Sequence, residues 1–271
     1  MRTLTKDEQG RYQTGPQSPY SAGERGGQAH YGGSSYDDGD AQQRPMTVDD
    51  VVTKTGITLA VIVVFAIANF ALFRFNPNLT MILTTVGAIG GLVMTLISTF
   101  GRKFGSAWVT LLYAAFEGLF VGGISLMFTN AYVQGVEVGT LIGQAVLGTV
   151  GVFAGMLFVY KTGAVKVTPK FNKILTAAIF GILVLVIGNL LLFMFTGNNP
   201  LRGGGTLAII FSLVCIVLAA LSFLTDFDQA DRLIRAGAPS NYAWGIALGL
   251  AVTLVWLYTE ILRLLSYFQN R

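Results

Sequence analysis

The chain has 271 residues, of which 53% are hydrophobic and only 12% are charged, and its mean hydropathy is +0.61. These values exclude a water-soluble domain and indicate an integral membrane protein. The formal net charge of +4 comes from basic residues spread between apolar segments rather than clustered with aromatic ones, so we expect no nucleic-acid binding.

Residues 1–45 predict a disordered tail. They are rich in Gly, Gln, Ser, Tyr and Asp and contain no apolar stretch that could bury enough surface to offset the entropy of ordering. The basic-then-apolar layout of a secretory signal is missing, so we expect no cleavage on export. After the tail, Thr47 can cap a helix whose first turn holds Asp49 and Asp50, which predicts a short amphipathic helix ahead of the first span.

Residues 46–271 predict a single transmembrane domain. Seven apolar segments follow one another, each close to the ~20 residues that a helix needs to cross about 30 Å of hydrocarbon. They are too long for strands and do not alternate polar with apolar residues, so the predicted fold class is an all-α integral membrane protein with seven transmembrane helices. The predicted spans are residues 56–75, 79–100, 107–129, 138–160, 173–195, 206–226 and 242–266.

The basic residues predict the orientation of the chain. Nine of them fall at span ends on the side of the amino terminus, and three fall on the opposite side. Because Lys and Arg accumulate on the cytoplasmic side of membrane proteins, we expect a plasma-membrane protein with its amino terminus in the cytoplasm and its carboxyl terminus outside the cell. The nine are Lys54, Arg102, Lys103, Lys161, Lys166, Lys170, Lys173, Arg232 and Arg235; the three are Arg74, Arg202 and Arg271.

Small residues recur at four-residue spacing along the spans. This spacing lets helices approach closely, either in general bundle packing or at a specific seam between copies. The pairs are Gly118 and Gly122, Gly139 and Gly143, and Gly151 and Gly155. The single cysteine, Cys215, lies inside an apolar run and is expected to be a small buried residue.

Few ionisable residues lie within the spans, and each is costly to insert into a bilayer. Glu117 lies near the middle of the third span and Asp226 at the end of the sixth, with Asp228 just beyond it. Glu260 and Arg263 lie in the second half of the seventh. We take these five as candidates for an ion pathway or pH gate, with Asp226 and Glu117 as candidate calcium ligands.

Each candidate also has a purely structural interpretation. Glu260 and Arg263 are three residues apart, so they share a helix face and can form a structural ion pair. Glu117 has no basic residue within one turn, so it is protonated, hydrated or paired across helices. It is either proton-responsive or a neutral acid bonded to a neighbouring helix. Asp226 could simply cap its helix, but carboxylates at stepped depths favour a cation or proton route.

Enzyme signatures are missing from the sequence, and we expect neither catalysis nor a cofactor. The only histidine, His30, lies in the tail, and no Cys/His cluster, nucleophile elbow or phosphate-binding glycine loop is present. Asp226 and Asp228 are two residues apart rather than on facing helices, so they do not form the dyad of an intramembrane aspartyl protease.

Three segments together resemble the Bax inhibitor family, and more narrowly its bacterial branch. The sixth span ends in Thr-Asp-Phe-Asp-Gln over residues 225–229, and the seventh reads Leu-Val-Trp-Leu-Tyr-Thr-Glu-Ile-Leu-Arg-Leu-Leu over residues 254–265. The third span carries Phe-Glu-Gly at residues 116–118. The likeness covers about residues 46–271 and leaves the tail outside.

The resemblance implies a central helix wrapped by the others, in a pH-sensitive calcium leak channel; eukaryotic members of the family suppress cell death. It also implies an aspartate pair between the last two spans that closes the pore and responds to protonation. Asp226 matches the first aspartate of that pair, but Thr253 stands where the second would be. Glu117 or Glu260 could supply the missing carboxylate.

Two functional hypotheses follow. The first is a cation leak channel, with calcium as the ion, because Asp226, Asp228, Glu117 and Glu260 can supply the oxygen ligands that calcium prefers. The second is a non-transporting adaptor that binds and regulates other membrane proteins, including proteases, through its tail and its small-residue helix faces. An adaptor should keep its cellular effect when Asp226 and Glu117 are neutralised, whereas a channel should not.

Overall fold

The computed structural model describes residues 44–101, 103–132 and 138–269. Most of the predicted disordered tail, residues 1–43, lies outside the described residues, and the tail stays a prediction. Within the described ranges the chain forms seven α-helices and no β-strand. They are α1 (Val48–Leu72), α2 (Pro77–Phe100), α3 (Ala107–Tyr132), α4 (Val138–Thr162), α5 (Pro169–Thr196), α6 (Thr206–Arg235) and α7 (Tyr242–Gln269).

The predicted fold class is confirmed, because each of these helices is long and apolar enough to cross a membrane. Helix α7 lies at the centre of the bundle and packs against α1, α3, α4 and α6. Within its most apolar window 72% of the residues are buried, against 6% for α5, which lies at the edge of the bundle. Helix α7 is therefore surrounded by other helices over most of its surface, whereas most of α5 faces outward.

The first helix begins at the predicted cap. The Thr47 hydroxyl accepts a hydrogen bond from the Asp50 backbone N–H, and the Asp50 carboxylate accepts one from the Thr47 N–H. This reciprocal pair satisfies two backbone donors at the helix start. The separate short helix expected here is wrong, since α1 runs without interruption from Val48 to Leu72.

Helix α6 continues nine residues beyond the predicted end of its span. Two ion pairs at i,i+4 spacing stabilise this extension: Asp228 with Arg232 and Asp231 with Arg235, each at 2.7 Å. Both arginines also lie in the last turn, where positive charge favours the helix dipole. Asp226 therefore lies inside the helix, and its interpretation as a helix cap is wrong.

Two of the predicted small residues bring α3 close to α1. A Cβ atom added to Gly118 would meet the Ile62 carbonyl oxygen at 2.5 Å, and one added to Gly122 would collide with the Ala66 carbonyl. These glycines therefore serve packing within the bundle. The other two pairs, Gly139 with Gly143 and Gly151 with Gly155, have no atom within 4 Å of an added Cβ.

The segment before α1 is bound to the α6–α7 loop, residues 236–241. The Met46 N–H donates to the Ala238 carbonyl at 2.7 Å, and the Ser240 N–H donates to the Arg44 carbonyl at 2.9 Å. The Lys54 ammonium also donates to the Ser240 carbonyl at 2.5 Å. Met46 itself is 2% exposed, within a cluster formed with α6 and α7. The start of the described chain and this loop thus form one packed unit.

Candidate functional site

Asp226 and Thr253 are brought together where α6 packs against α7. The Thr253 hydroxyl donates a hydrogen bond to Asp226 Oδ2 at 2.8 Å, and it also lies 3.2 Å from the Gly249 carbonyl oxygen. Thr253 is buried, whereas Asp226 is half-buried. Thr253, where the resemblance implied a second aspartate, is therefore a hydroxyl donor to Asp226, which supports the carboxylate without adding a second negative charge.

Asp226 opens into a cavity of about 450 Å³ between α2, α6 and α7. Hydroxyl and amide groups form much of its wall, together with two glycines. Among the described residues no basic side chain lines it, and the Asp226 carboxylate is the only charged group that they place on its wall. The polar and glycine lining residues are Thr95, Ser98, Thr99, Gln229, Thr253, Gly245 and Gly249.

Glu117 opens into a second cavity of about 280 Å³, between α2, α3 and α7. The described residues give its carboxylate no ion pair and no hydrogen bond. Gly91 on α2 faces it so closely that an added Cβ would lie 2.5 Å from Glu117 Oε2. Tyr113, one turn earlier on α3, is buried and also lines this cavity.

The two cavities adjoin. Thr95 of α2 and Val252 of α7 line both, so these two side chains form the partition between the Asp226 and Glu117 compartments. The Thr95 hydroxyl donates to the Gly91 carbonyl at 3.0 Å within its own helix. Two carboxylates, with no cation among the described lining residues of either cavity, thus face a shared boundary made of one hydroxyl and one apolar side chain.

Glu260 and Arg263 form the ion pair that their spacing predicts, and that pairing is confirmed. Arg263 Nη1 lies 2.6 Å from Glu260 Oε1, and the two side chains are only 8% and 4% exposed. The Arg263 guanidinium also lies 5.4 Å from the centre of the Phe128 ring. The pair lines neither cavity, so Glu260 does not supply a second carboxylate beside Asp226.

Asp228 and Asp231 have ion-pair partners of their own on α6 and line neither cavity. Asp231 also accepts a hydrogen bond from the Tyr160 hydroxyl at 3.4 Å. Among the described residues no three His, Cys, Asp or Glu side chains come together in a metal-binding group. The geometry therefore leaves Asp226 and Glu117 as two separate acidic positions.

The hydroxyl groups of α2 were not among the candidates from the sequence. Thr95, Ser98 and Thr99 are spaced i, i+3 and i+4, which places them on one face of the helix. Their signal was a polar stripe on an otherwise apolar span. The sequence could not say which neighbouring helix that stripe meets, and here it meets the Asp226 cavity.

A comparison with curated proteins gave no match. The family described as Bax inhibitor 1 like matches residues 5–270, nearly the whole chain. The resemblance carried by the third, sixth and seventh spans is thereby confirmed at the level of the family, but the expectation that it leaves the tail outside is wrong, because the match begins at residue 5. Since that match and the seven apolar helices agree, this multi-pass membrane protein belongs to the Bax inhibitor 1 like family.

Proposed function

We propose that the protein is a pH-sensitive cation leak channel, with calcium as the ion and Asp226 and Glu117 as charges along its path. The observation that carries the proposal is the wall composition of the two adjoining cavities. Among the described residues that line them, each has one carboxylate and no basic side chain, so each attracts cations. Hydroxyl and amide oxygens beside Asp226 add the hard ligands that calcium favours.

Protonation acts on such a path directly. Asp226 is held by a hydroxyl and Glu117 by no described cation, so neither carboxylate has to break an ion pair before it takes up a proton. Neutralising either one removes the only charge that the described residues place on its cavity wall. Calcium flux should therefore depend on pH through these two groups rather than through Asp228 or Asp231, which remain paired with arginines.

The proposed setting is the plasma membrane, with the amino terminus in the cytoplasm and the carboxyl terminus outside. The excess of Lys and Arg on one side of the predicted spans supports this orientation. On this topology the α6–α7 loop and the start of α1 lie on the cytoplasmic side, and the Asp226 cavity lies toward that side of the membrane. Transport of this kind involves no catalysis and no organic cofactor.

Flux measurements on purified protein test the proposal. Vesicles containing the protein and a calcium dye should take up calcium faster than protein-free vesicles at some pH between about 5 and 8. Asp226→Asn and Glu117→Gln should each change the pH profile, and Asp231→Asn is the matched control. Flux equal to that of empty vesicles at every pH would overturn the channel.

The adaptor hypothesis is separated by the same variants. If flux were absent while Asp226→Asn and Glu117→Gln left a cellular phenotype intact, regulation of partner membrane proteins would be the better account. The bare outward surface of α5 would then be the first place to look for a contact. Loss of the phenotype in the two variants, with retention in Asp231→Asn, would support the channel.

A further inference from the structure

The buried ion pair on α7 is incompletely satisfied. Glu260 uses Oε1 to bind Arg263, while Oε2 is buried without a hydrogen-bond partner. An unsatisfied carboxylate oxygen in a buried site is costly, so this oxygen calls for an explanation. Its position is separate from the Asp226 cavity: Thr253 and Glu260 are seven residues apart on α7, roughly 10 Å along a helix that rises about 1.5 Å per residue.

A third charged residue lies beside this pair. Arg202 belongs to the α5–α6 loop, residues 197–205, and its backbone carbonyl accepts a hydrogen bond from the Tyr267 hydroxyl at 3.1 Å. Tyr267 follows Arg263 by four residues and Glu260 by seven, so all three lie on one face of α7. This contact brings the loop to the face that carries the ion pair.

Arg202 also lacks a counter-ion among the described residues. It is half-buried, and burial together with the nearby positive charge of Arg263 lowers its pKa, which Glu260 partly offsets. One carboxylate therefore lies among two guanidinium groups and binds only one of them. The free oxygen of Glu260 is the acceptor that Arg202 lacks.

We propose that Arg202, Glu260 and Arg263 form a second gate, at the end of α7 away from Asp226, in which the loop arginine and the helix arginine compete for Glu260. The inference rests on the proposed channel function. In the arrangement described here Arg263 holds the carboxylate and packs on Phe128, and the surplus positive charge repels cations. When the loop moves, Arg202 binds Glu260 Oε2, and the contact of Arg263 with Glu260 and with Phe128 of α3 weakens.

The loop has the backbone that such a movement needs. Three glycines follow Arg202, and Gly204 has φ +81°, a conformation that residues with a side chain rarely adopt. An added Cβ on Gly204 would make only ordinary contact with the Tyr267 ring, at 3.7 Å. Among the described residues, this hydrogen bond and this ordinary aromatic contact join the loop to α7.

The single cysteine provides a direct readout. Cys215 on α6 is 1% exposed, and it lies on the same helix face as Ala208, which is seven residues earlier and packs in one cluster with Tyr267. We would expose sealed vesicles to a water-soluble cationic methanethiosulfonate reagent and measure labelling of Cys215. Arg263→Gln should raise the labelling rate by roughly fivefold or more, because it weakens the closed arrangement, and Arg202→Gln should lower the rate, because it removes the residue that competes with Arg263 for Glu260. Arg74→Gln removes an exposed arginine from the α1–α2 loop and should leave the rate unchanged.

A second measurement keeps the proposal testable if Arg263→Gln fails to fold. The double variant Glu260→Gln with Arg263→Gln leaves no unpaired buried charge and is the fallback background. There, Arg202→Gln should no longer alter Cys215 labelling, since the carboxylate for which the arginines compete is gone. An undiminished effect of Arg202→Gln in that background, or equal labelling of the wild type and Arg202→Gln, would overturn the gate.

Labelling needs no ion flux, so the two proposals fail separately. Reduced labelling in Arg202→Gln without calcium flux in any variant would keep the charge switch and overturn the channel. Flux with a pH profile that depends on Asp226, combined with labelling that ignores Arg202, would keep the channel and overturn the second gate. If both hold, Arg202→Gln should also lower calcium flux.

Discussion

Asp226 on α6 and Glu260 on α7 are both carboxylates, and they differ mainly in the groups that they contact. Asp226 meets a threonine hydroxyl and a polar cavity, whereas Glu260 is closed into an ion pair with 4% of its side chain exposed. Both are acids on apolar helices. Such a carboxylate is available to bind a cation only when no guanidinium group is already paired with it.

The largest expected effect comes from breaking the buried ion pair between Glu260 and Arg263. Arg263→Gln leaves the Glu260 carboxylate without its buried partner and should lower the free energy of unfolding by about 3–5 kcal/mol. Both side chains are buried, so Arg263 does not extend its guanidinium to the membrane–water interface, as a position near the end of a span would allow. Contact with water is therefore not expected to reduce this loss of stability.

Unfolding of detergent-solubilised protein would measure that loss, and the double variant with Glu260→Gln should recover a large part of it. Strictly additive losses would show that the two residues do not act as a pair. In that case the contrast with Asp226 would collapse, and Glu260 would rejoin the candidates for the ion path.

A smaller effect is expected at Asp226, whose carboxylate faces a cavity. Thr253→Val keeps the shape of the side chain but removes the hydrogen bond to Asp226 Oδ2, which should cost about 1–3 kcal/mol of stability. It should also alter the pH profile of calcium flux, since the carboxylate loses its one donor. Thr253→Ser retains a hydroxyl and is the control; similar behaviour of the two variants would rule out the hydrogen bond as the cause.

The sequence reached the parts of this picture that depend on spacing along one helix. The pairing of Glu260 with Arg263, the cap at Thr47 and the seven spans all follow from local patterns. The contact between Thr253 and Asp226 joins residues 27 apart on two helices, and only their packing decides it. The length of α6 was underestimated because its last turns are polar, and salt bridges rather than apolar residues carry the helix onward.

Gly91→Ala would sharpen the comparison without changing any charge. The new Cβ would lie 2.5 Å from Glu117 Oε2, but the flexible carboxylate end can move aside, so stability should change by less than about 1 kcal/mol. The displaced carboxylate should nevertheless change the pH profile of flux. Gly188→Ala on α5, where an added Cβ meets nothing within 4 Å, is the matched control. Indistinguishable flux profiles would remove Glu117 from the path.

The smallest effect is expected at the exposed end of α6. Asp231→Asn breaks a pair with Arg235 whose side chains are 36% and 77% exposed, and solvent-exposed pairs contribute about 0–1 kcal/mol. Unfolding and the pH profile of flux should both stay close to those of the wild type, in contrast to Asp226→Asn. A pH shift as large as that of Asp226→Asn would count against a special role for the cavity carboxylate.

The backbone pairing ahead of α1 also limits where the chain can be shortened. Arg44 and Met46 supply hydrogen-bond partners to Ser240 and Ala238, in the loop that joins the two helices of the Asp226 site. Deleting residues 1–43 leaves both bonds in place, whereas a truncation at residue 47 removes them along with the buried Met46 side chain. A shortened protein or an amino-terminal fusion should therefore join the native sequence no later than Arg44.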